Sequence, residues 1–233
     1  MPLHSLLPLI TTTHTLFLIF SLLRSPTFST AHYNPSPSTP SPLISEWESA
    51  RATYYAGTNP RDIVGGACGY GDLDKAGYGK ATVGLSTALF SKGQICGACY
   101  EVRCVEDLRN CIPAFEKIAL WKAGNMAIQY RRMRCRKEGG IRFAIDGSGV
   151  FISVLVSNVA GAGDVVGLKV KGSQTGWLPM SRNWGQNWIL NANLKNQPLS
   201  FEVTTSDGAI LMSYNVAPKS WKIGQTFDGK QFD

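Results

Sequence analysis

All six cysteines of this 233-residue chain lie in one stretch, and this distribution divides the sequence into two parts. The cysteines are Cys68, Cys96, Cys99, Cys104, Cys111 and Cys135. Residues 136–233 contain none. Disulfides can stabilise the part that contains the cysteines, whereas residues 136–233 must be stabilised by a hydrophobic core alone. The chain is therefore expected to form two domains.

The N-terminus predicts secretion. Leu16–Leu23 is an apolar run interrupted only by Ser21, and Ser29, Thr30 and Ala31 provide the small residues of a cleavage site. A retained membrane anchor is the alternative, but the run is shorter than the roughly 20 apolar residues that span a bilayer. Residues 1–31 are therefore interpreted as a signal peptide.

A Ser/Pro-rich leader follows at residues 32–45. Its segment Pro35–Pro42 reads PSPSTPSP, which favours an extended polyproline II spacer and cannot contribute to a core. The leader is expected to separate the signal peptide from the first domain.

Cysteines in a secreted chain favour disulfides over free thiols. Two alternatives remain: a redox pair at Cys96 and Cys99, and a zinc site formed by these two residues with Cys104 and Cys111. No strand-to-helix context surrounds the redox pair, and export disfavours a zinc site. We predict no cofactor, no metal and no catalytic residue.

The cysteine-free part predicts a β-sandwich. The runs Phe151–Ser157, Val166–Lys171 and Leu199–Thr204 alternate apolar and polar residues, as half-buried strands do. Turn signals occur at Asp146-Gly147, Gly172-Ser173 and Ser206-Asp207-Gly208. Short strands with such turns over about 95 residues favour two packed sheets. One helix is predicted before them, at Ala114–Ala123.

Tryptophans in this part indicate a carbohydrate ligand. Trp188 and Trp221 lie in strand-like sequence and are expected to be buried. Trp184, within the segment SRNWGQNW, and Trp177 lie among polar residues and glycine, so they are expected to be exposed. Aromatic rings stack on the C–H faces of sugars. A few rings bind a short oligosaccharide weakly, so an immobilised polysaccharide is the better target.

The net charge of +7 and the isoelectric point near 9.2 favour a polyanionic neighbour. Much of this charge is concentrated in residues 130–137, where Arg132, Arg134 and Arg136 would share one face of a strand. Export argues against nucleic acid. A solvated strand at the domain junction and a surface for acidic pectin remain as the two interpretations.

Nine motifs, in order along the chain, resemble those of alpha-expansins. They are GGACGYG (65–71), LSTALF (85–90), CGACYEVRC (96–104), GGIRF (139–143), NVAGAGDV (158–165), VKGSQTGW (170–177), SRNWGQNW (181–188), TTSDG (204–208) and GQTFDG (224–229). Expansins are plant cell-wall proteins that loosen the wall without hydrolysis. The resemblance implies a mainly β chain: a double-psi β-barrel domain, truncated here, at residues 46–136, and an immunoglobulin-like β-sandwich at 139–233 that binds cellulose.

The resemblance also implies site residues and partners. Phe151 and Trp184 match the aromatic sugar platform of the family, with Trp177 as a third member. Thr53 and Tyr55 match groove contacts of the first domain, although Tyr55 fits a packed barrel aromatic equally well. The implied disulfides are Cys68–Cys96, Cys99–Cys135 and Cys104–Cys111. The implied partner is a cellulose or cellulose–xyloglucan surface in the extracellular wall. We expect a monomer in peripheral association with the wall or membrane surface.

The chain departs from the family after Pro113. Several tens of residues are absent there, including an Asn-Phe-Cys, a Gly-Trp-Cys and a His-Phe-Asp motif. The absent aspartate is the counterpart of the acid in related endoglucanases, and inverting hydrolysis needs two positioned carboxyl groups. The carboxylates that remain in the first domain, none of them in the matching motif, are Asp62, Asp72, Asp74, Glu101 and Glu106. A wall-loosening expansin and a polysaccharide-binding module without loosening activity are therefore favoured over a glycoside hydrolase.

Overall fold

The computed structural model of the chain describes residues 44–53, 66–73, 76–78, 83–105 and 126–233. The predicted signal peptide, most of the leader, and the helix predicted at 114–123 lie outside these residues. All described residues belong to one compact unit, Ser38–Asp233. No described helix has the length and hydrophobicity needed to cross a membrane.

The described residues before 134 contain a three-stranded antiparallel sheet. Its strands are β1 (Glu48–Ala52), β2 (Cys99–Cys104) and β3 (Met126–Met133), in the order β1-β3-β2. A one-turn helix, α1 (Thr87–Phe90), precedes β2, and the Ser86 hydroxyl caps it by accepting a hydrogen bond from the backbone N–H of Leu89 at 3.4 Å.

The described residues from 134 onward contain two antiparallel sheets. The strands are β4 (Arg142–Ser148), β5 (Phe151–Ser157), β6 (Val165–Lys171), β7 (Leu178–Pro179), β8 (Ser181–Trp184), β9 (Asn187–Asn191), β10 (Leu199–Thr205), β11 (Ile210–Ala217) and β12 (Thr226–Asp228). A five-stranded sheet has the order β12-β4-β5-β9-β8, and a four-stranded sheet has the order β11-β10-β6-β7. The mainly β class and the sandwich are confirmed.

The core of the sandwich lies between the two sheets. Alternate residues point inward, so that Ile152, Val154 and Val156 of β5 are buried. Phe143 of β4 stacks on Phe201 of β10 with ring centroids 4.3 Å apart and planes 8° apart. Both rings are fully buried, so this stack joins an inner strand of each sheet.

One predicted turn is wrong. Asp146-Gly147 lies inside β4, where Gly147 pairs with Ile152, and the chain turns at Gly149-Val150 instead. Gly147 is needed for close approach, because a Cβ there would lie 2.2 Å from the carbonyl oxygen of Phe151. The turns predicted at 172–173 and 206–208 are present.

Disulfides hold the segments before β4 in place. The structure joins Cys68 to Cys96 and Cys99 to Cys135, the pairs that the resemblance implies. Cys104 is also disulfide-bonded, while Cys111 lies outside the described residues. Since Cys96 and Cys99 are both oxidised, neither a dithiol nor a thiolate zinc site fits this state of the chain.

The basic run is not a row of solvated arginines. β3 ends at Met133, so Arg134 and Arg136 lie beyond the strand. Arg132 donates to the side chains of Asp164 and Ser206 and to the carbonyl of Ala162, which ties the three-stranded sheet to the sandwich. The predicted strand face of three arginines is therefore wrong, because its first member forms a partly buried ion pair.

We predict that Phe201→Ala lowers the free energy of unfolding by about 3–5 kcal/mol, because it removes half of a fully buried ring stack. Urea denaturation measures the loss. Phe151→Ala is the matched control: its ring is 38% exposed, so we expect a loss of about 1 kcal/mol or less. Equal losses in the two variants would contradict the assignment of the core.

Candidate functional site

Three neighbouring strands of the five-stranded sheet, β5, β9 and β8, carry no charged side chain on their outer face, and we call this surface the neutral face. The residues that point outward there are Phe151, Ser153, Leu155, Ser157, Asn187, Ile189, Asn191, Ser181 and Trp184. The set combines aromatic and aliphatic groups with hydroxyls and amides, and it contains no charged side chain. Such a surface offers stacking and hydrogen bonds to a neutral, polyhydroxylated ligand.

The two aromatic residues of this neutral face lie diagonally across it. Phe151 begins β5 and Trp184 ends β8, with side chains 38% and 48% exposed. Register places Phe151 opposite Asn191, and Trp184 opposite Asn187. Strand geometry separates them by about 13 Å along the strands and about 10 Å across them. Several sugar rings of an extended chain can lie between the two contacts.

The turn after Trp184 is packed against the disulfide-linked segment. Gly185 has φ 55°, and a Cβ there would lie 2.3 Å from the carbonyl oxygen of Cys68. The side chain of Gln186 is almost fully buried, and its Nε2 donates to the carbonyl of Cys96 at 2.8 Å. The backbone at Cys68 and Cys96 therefore packs against this end of the β8–β9 hairpin.

Arg182 fixes the same turn from inside the sandwich. Its guanidinium lies over the Trp188 ring, 4.5 Å from the centroid, and donates to the carbonyls of Gly185 and Val165. Burial lowers the pKa of Arg182 from its ordinary value. These contacts leave the backbone on both sides of Trp184 little freedom, so the point from which its side chain projects is fixed before any ligand binds.

The structure does not bring Trp177 to the neutral face. Trp177 precedes β7 on the outer face of the other sheet, where its ring lies 6.0 Å from that of Tyr214. Of the three aromatic residues predicted to form a platform, Phe151 and Trp184 therefore share one face and Trp177 lies on another. Trp188 and Trp221 are buried, as expected. Gln186 and Arg182 were not identified from sequence, because buried polar residues follow no apolar period.

The candidate groove of the first region is only partly described. Thr53 is exposed just after β1, whereas Tyr55 lies outside the described residues. Glu101 forms an ion pair with Arg131 at 2.7 Å, while Asp62, Asp74 and Glu106 also lie outside. Within the described part of the chain, no cluster of three His, Cys, Asp or Glu side chains could hold a metal.

Comparison with known proteins identifies the family. The Expansin C-terminal domain family matches residues 141–218. Expansin-A13 of Arabidopsis thaliana is 56% identical over 257 aligned positions, covering 93% of this chain and 97% of the relative. This chain belongs to the expansin family. Expansin-A10 of Oryza sativa subsp. japonica is similar to this expansin as well, at 50% identity over 92% of the chain and 98% of the relative.

These relatives also bear on activity and on the departure after Pro113. Expansins are non-hydrolytic cell-wall proteins, so the assignment of the chain as a non-enzymatic alpha-expansin is confirmed. The alignment with Expansin-A13 spans 257 positions, more than the 233 residues of this expansin. The relative therefore has residues with no counterpart here, as the predicted internal deletion requires.

Solved structures show the same fold. The apo crystal structure of the Clavibacter michiganensis expansin superposes with a TM-score of 0.64, covering 80% of this chain and 98% of that one at 17% identity. A mutant of that protein, crystallised in complex with cellohexaose, superposes with a TM-score of 0.63. At this identity the likeness shows the fold alone.

We predict that Gly185→Ala destabilises this expansin by at least about 1 kcal/mol, because the substitution strains a positive φ and meets the Cys68 carbonyl. It should also shift the indole N–H resonance of Trp184 in an NMR spectrum. Gly176→Ala is the control, since nothing lies within 4 Å of its added Cβ. An unchanged Trp184 resonance in Gly185→Ala would show that the turn does not depend on this contact.

Proposed function

We propose that this expansin binds cellulose or a cellulose–xyloglucan surface through the neutral face, with Phe151 and Trp184 as its stacking residues. The observation that supports this proposal is the pair of exposed rings on the part of the sheet face, formed by β5, β9 and β8, that carries no charged side chain. The bacterial expansin with the same fold has been crystallised with cellohexaose, a soluble fragment of the same polymer.

The size of the neutral face favours a polymer over a short oligosaccharide. If each ring removes on the order of 100 Å² from water, two rings contribute roughly 5 kcal/mol at about 25 cal/mol/Å². Association costs roughly 4–15 kcal/mol, so a single short ligand is bound weakly. An immobilised polymer presents many overlapping registers, and a protein that dissociates from one is recaptured by the next.

We further propose that this expansin binds the wall without loosening it. The contacts that support the neutral face come from Cys68, Cys96 and the sandwich itself. The block absent after Pro113 belongs to the other domain and includes the acidic motif. Binding is therefore retained while the groove that expansins use on the wall is incomplete. The alternative is that loosening survives.

Localisation and the remaining partners follow from this proposal. The signal peptide at residues 1–31 directs the chain to the extracellular space, and the family works in the cell wall. The chain acts there as a monomer. Its net charge of +7 adds an attraction to acidic pectin, which is bound in addition to the neutral glucan.

We predict that Trp184→Ala weakens retention on microcrystalline cellulose by roughly tenfold, because about 100 Å² of stacking surface is lost. A depletion isotherm with the full secreted chain measures the retention. Trp177→Ala is the matched control: it removes the same side chain type from the opposite sheet, so it should bind cellulose as the parent does. Equal retention by Trp184→Ala and the parent would exclude the neutral face as the site.

A further inference from the structure

The outer face of the four-stranded sheet carries a second group of exposed aromatic and apolar side chains. Tyr214 of β11 is 57% exposed, and the half-buried ring of Trp177 lies 6.0 Å from it at an angle of 60°. The Tyr214 hydroxyl donates to the sulfur of Met212, whose side chain is 36% exposed, at 3.1 Å. We call Trp177, Tyr214 and Met212 the second aromatic face.

A row of residues across three strands lies next to these rings. Ser200 of β10 pairs with Lys171 of β6, and the register between β10 and β11 shifts here, between Leu199 and Phe201. The Ser200 hydroxyl accepts from the backbone N–H of Asn215, the residue after Tyr214, and Val170 pairs with Leu178, the residue after Trp177. Lys171 lies beside the rings, with its ammonium 5.9 Å from the Trp177 ring centroid.

Positive charge is concentrated at the end of the sheet where this row lies. The loops 172–177, 192–198 and 218–225 meet there, because they follow β6, precede β10 and follow β11. They contain Lys195, Lys219 and Lys222, all exposed, and no Asp or Glu. Neither these lysines nor Lys171 form an ion pair with a carboxylate of the described residues.

The acid nearest to this row along the sheet is already neutralised. Glu202 of β10 is almost buried and pairs with Lys169 at 2.7 Å. Its charge is therefore balanced, and the four unpaired lysines set the sign of the potential around the rings. An anionic ligand is attracted to this end of the sandwich, whereas the neutral face on the opposite sheet has no such preference.

We infer that the second aromatic face, with Lys171, Lys195, Lys219 and Lys222, binds an acidic polysaccharide whose sugars carry carboxylates. Sugar rings stack on Trp177 and Tyr214, while the ammonium groups pair with the carboxylates. This inference rests on the proposed function, and it gives the sandwich one face for neutral glucan and another for acidic polymer.

Three of the four arginines of residues 130–137 are a weaker choice for this ligand, because they already have partners. Arg131 pairs with Glu101 and lies over the Trp47 ring, and Arg132 is held by Asp164. Arg134 donates to the carbonyl of Asp233. A carboxylate ligand would have to displace these contacts, whereas the four lysines of the second aromatic face need no such exchange.

The test uses the full chain and sodium polygalacturonate as the probe. In low salt, the triple variant Lys195→Gln, Lys219→Gln, Lys222→Gln should bind polygalacturonate about tenfold more weakly than the parent, with a shallower salt dependence. The control triple Lys92→Gln, Arg136→Gln, Lys230→Gln removes the same charge from exposed positions elsewhere and should weaken binding far less. Equal losses in the two triples would reduce the interaction to net charge and overturn the site.

The variant Tyr214→Ala distinguishes a specific binding site from attraction by net charge alone. It leaves every lysine in place and should still weaken polygalacturonate binding several-fold, because a stacking ring is lost. Unchanged binding of polygalacturonate by this variant overturns the inference. A parent that is a dimer and a variant that is a monomer in light scattering would also overturn it, because the face would then be a self-association surface. Cellulose retention is measured in parallel and should be unaffected by Tyr214→Ala. Failure of the parent to bind cellulose refutes the proposed function whatever the polygalacturonate result.

Discussion

The buried amide of Gln186 is the contact on which the site depends. Its Nε2 donates to the carbonyl of Cys96 and its Oε1 accepts from the indole N–H of Trp188 at 3.4 Å. One side chain thus connects the disulfide-linked segment, the turn that carries Trp184, and the core of the sandwich. An unsatisfied amide at this depth would cost about 1–3 kcal/mol, so loss of either partner of Gln186 destabilises the turn that carries Trp184.

The two sheets of the sandwich present different chemistry to solvent. The five-stranded sheet exposes rings among amides and hydroxyls, while the four-stranded sheet exposes rings beside unpaired lysines. A plant wall contains both neutral and acidic polymers. If each face binds as proposed, this expansin holds the two polymers together without any new covalent bond, and the two contacts strengthen each other through effective concentration.

Sequence patterns were most informative where the period is simple. The alternation in 151–157 and 199–204 predicted strands β5 and β10, and polar neighbours predicted the exposure of Trp184. Trp177 was harder to place, because a two-residue strand next to it, β7, determines which sheet it joins. Gln186 and Arg182 were missed because their partners, Cys96 and Val165, are distant in sequence. The prediction for the arginines of β3 was wrong because an arginine on a strand can be partly buried when it forms an ion pair, as Arg132 does with Asp164.

The proposed function separates binding from loosening: we propose that the neutral face binds the wall, and that the residues absent after Pro113 are the ones that loosening needs. Extension of heat-inactivated cell-wall strips under constant load at acidic pH tests this most directly. The account predicts that the chain is retained by the strips and produces no more extension than buffer alone. Extension equal to that caused by an expansin containing the absent block would contradict it.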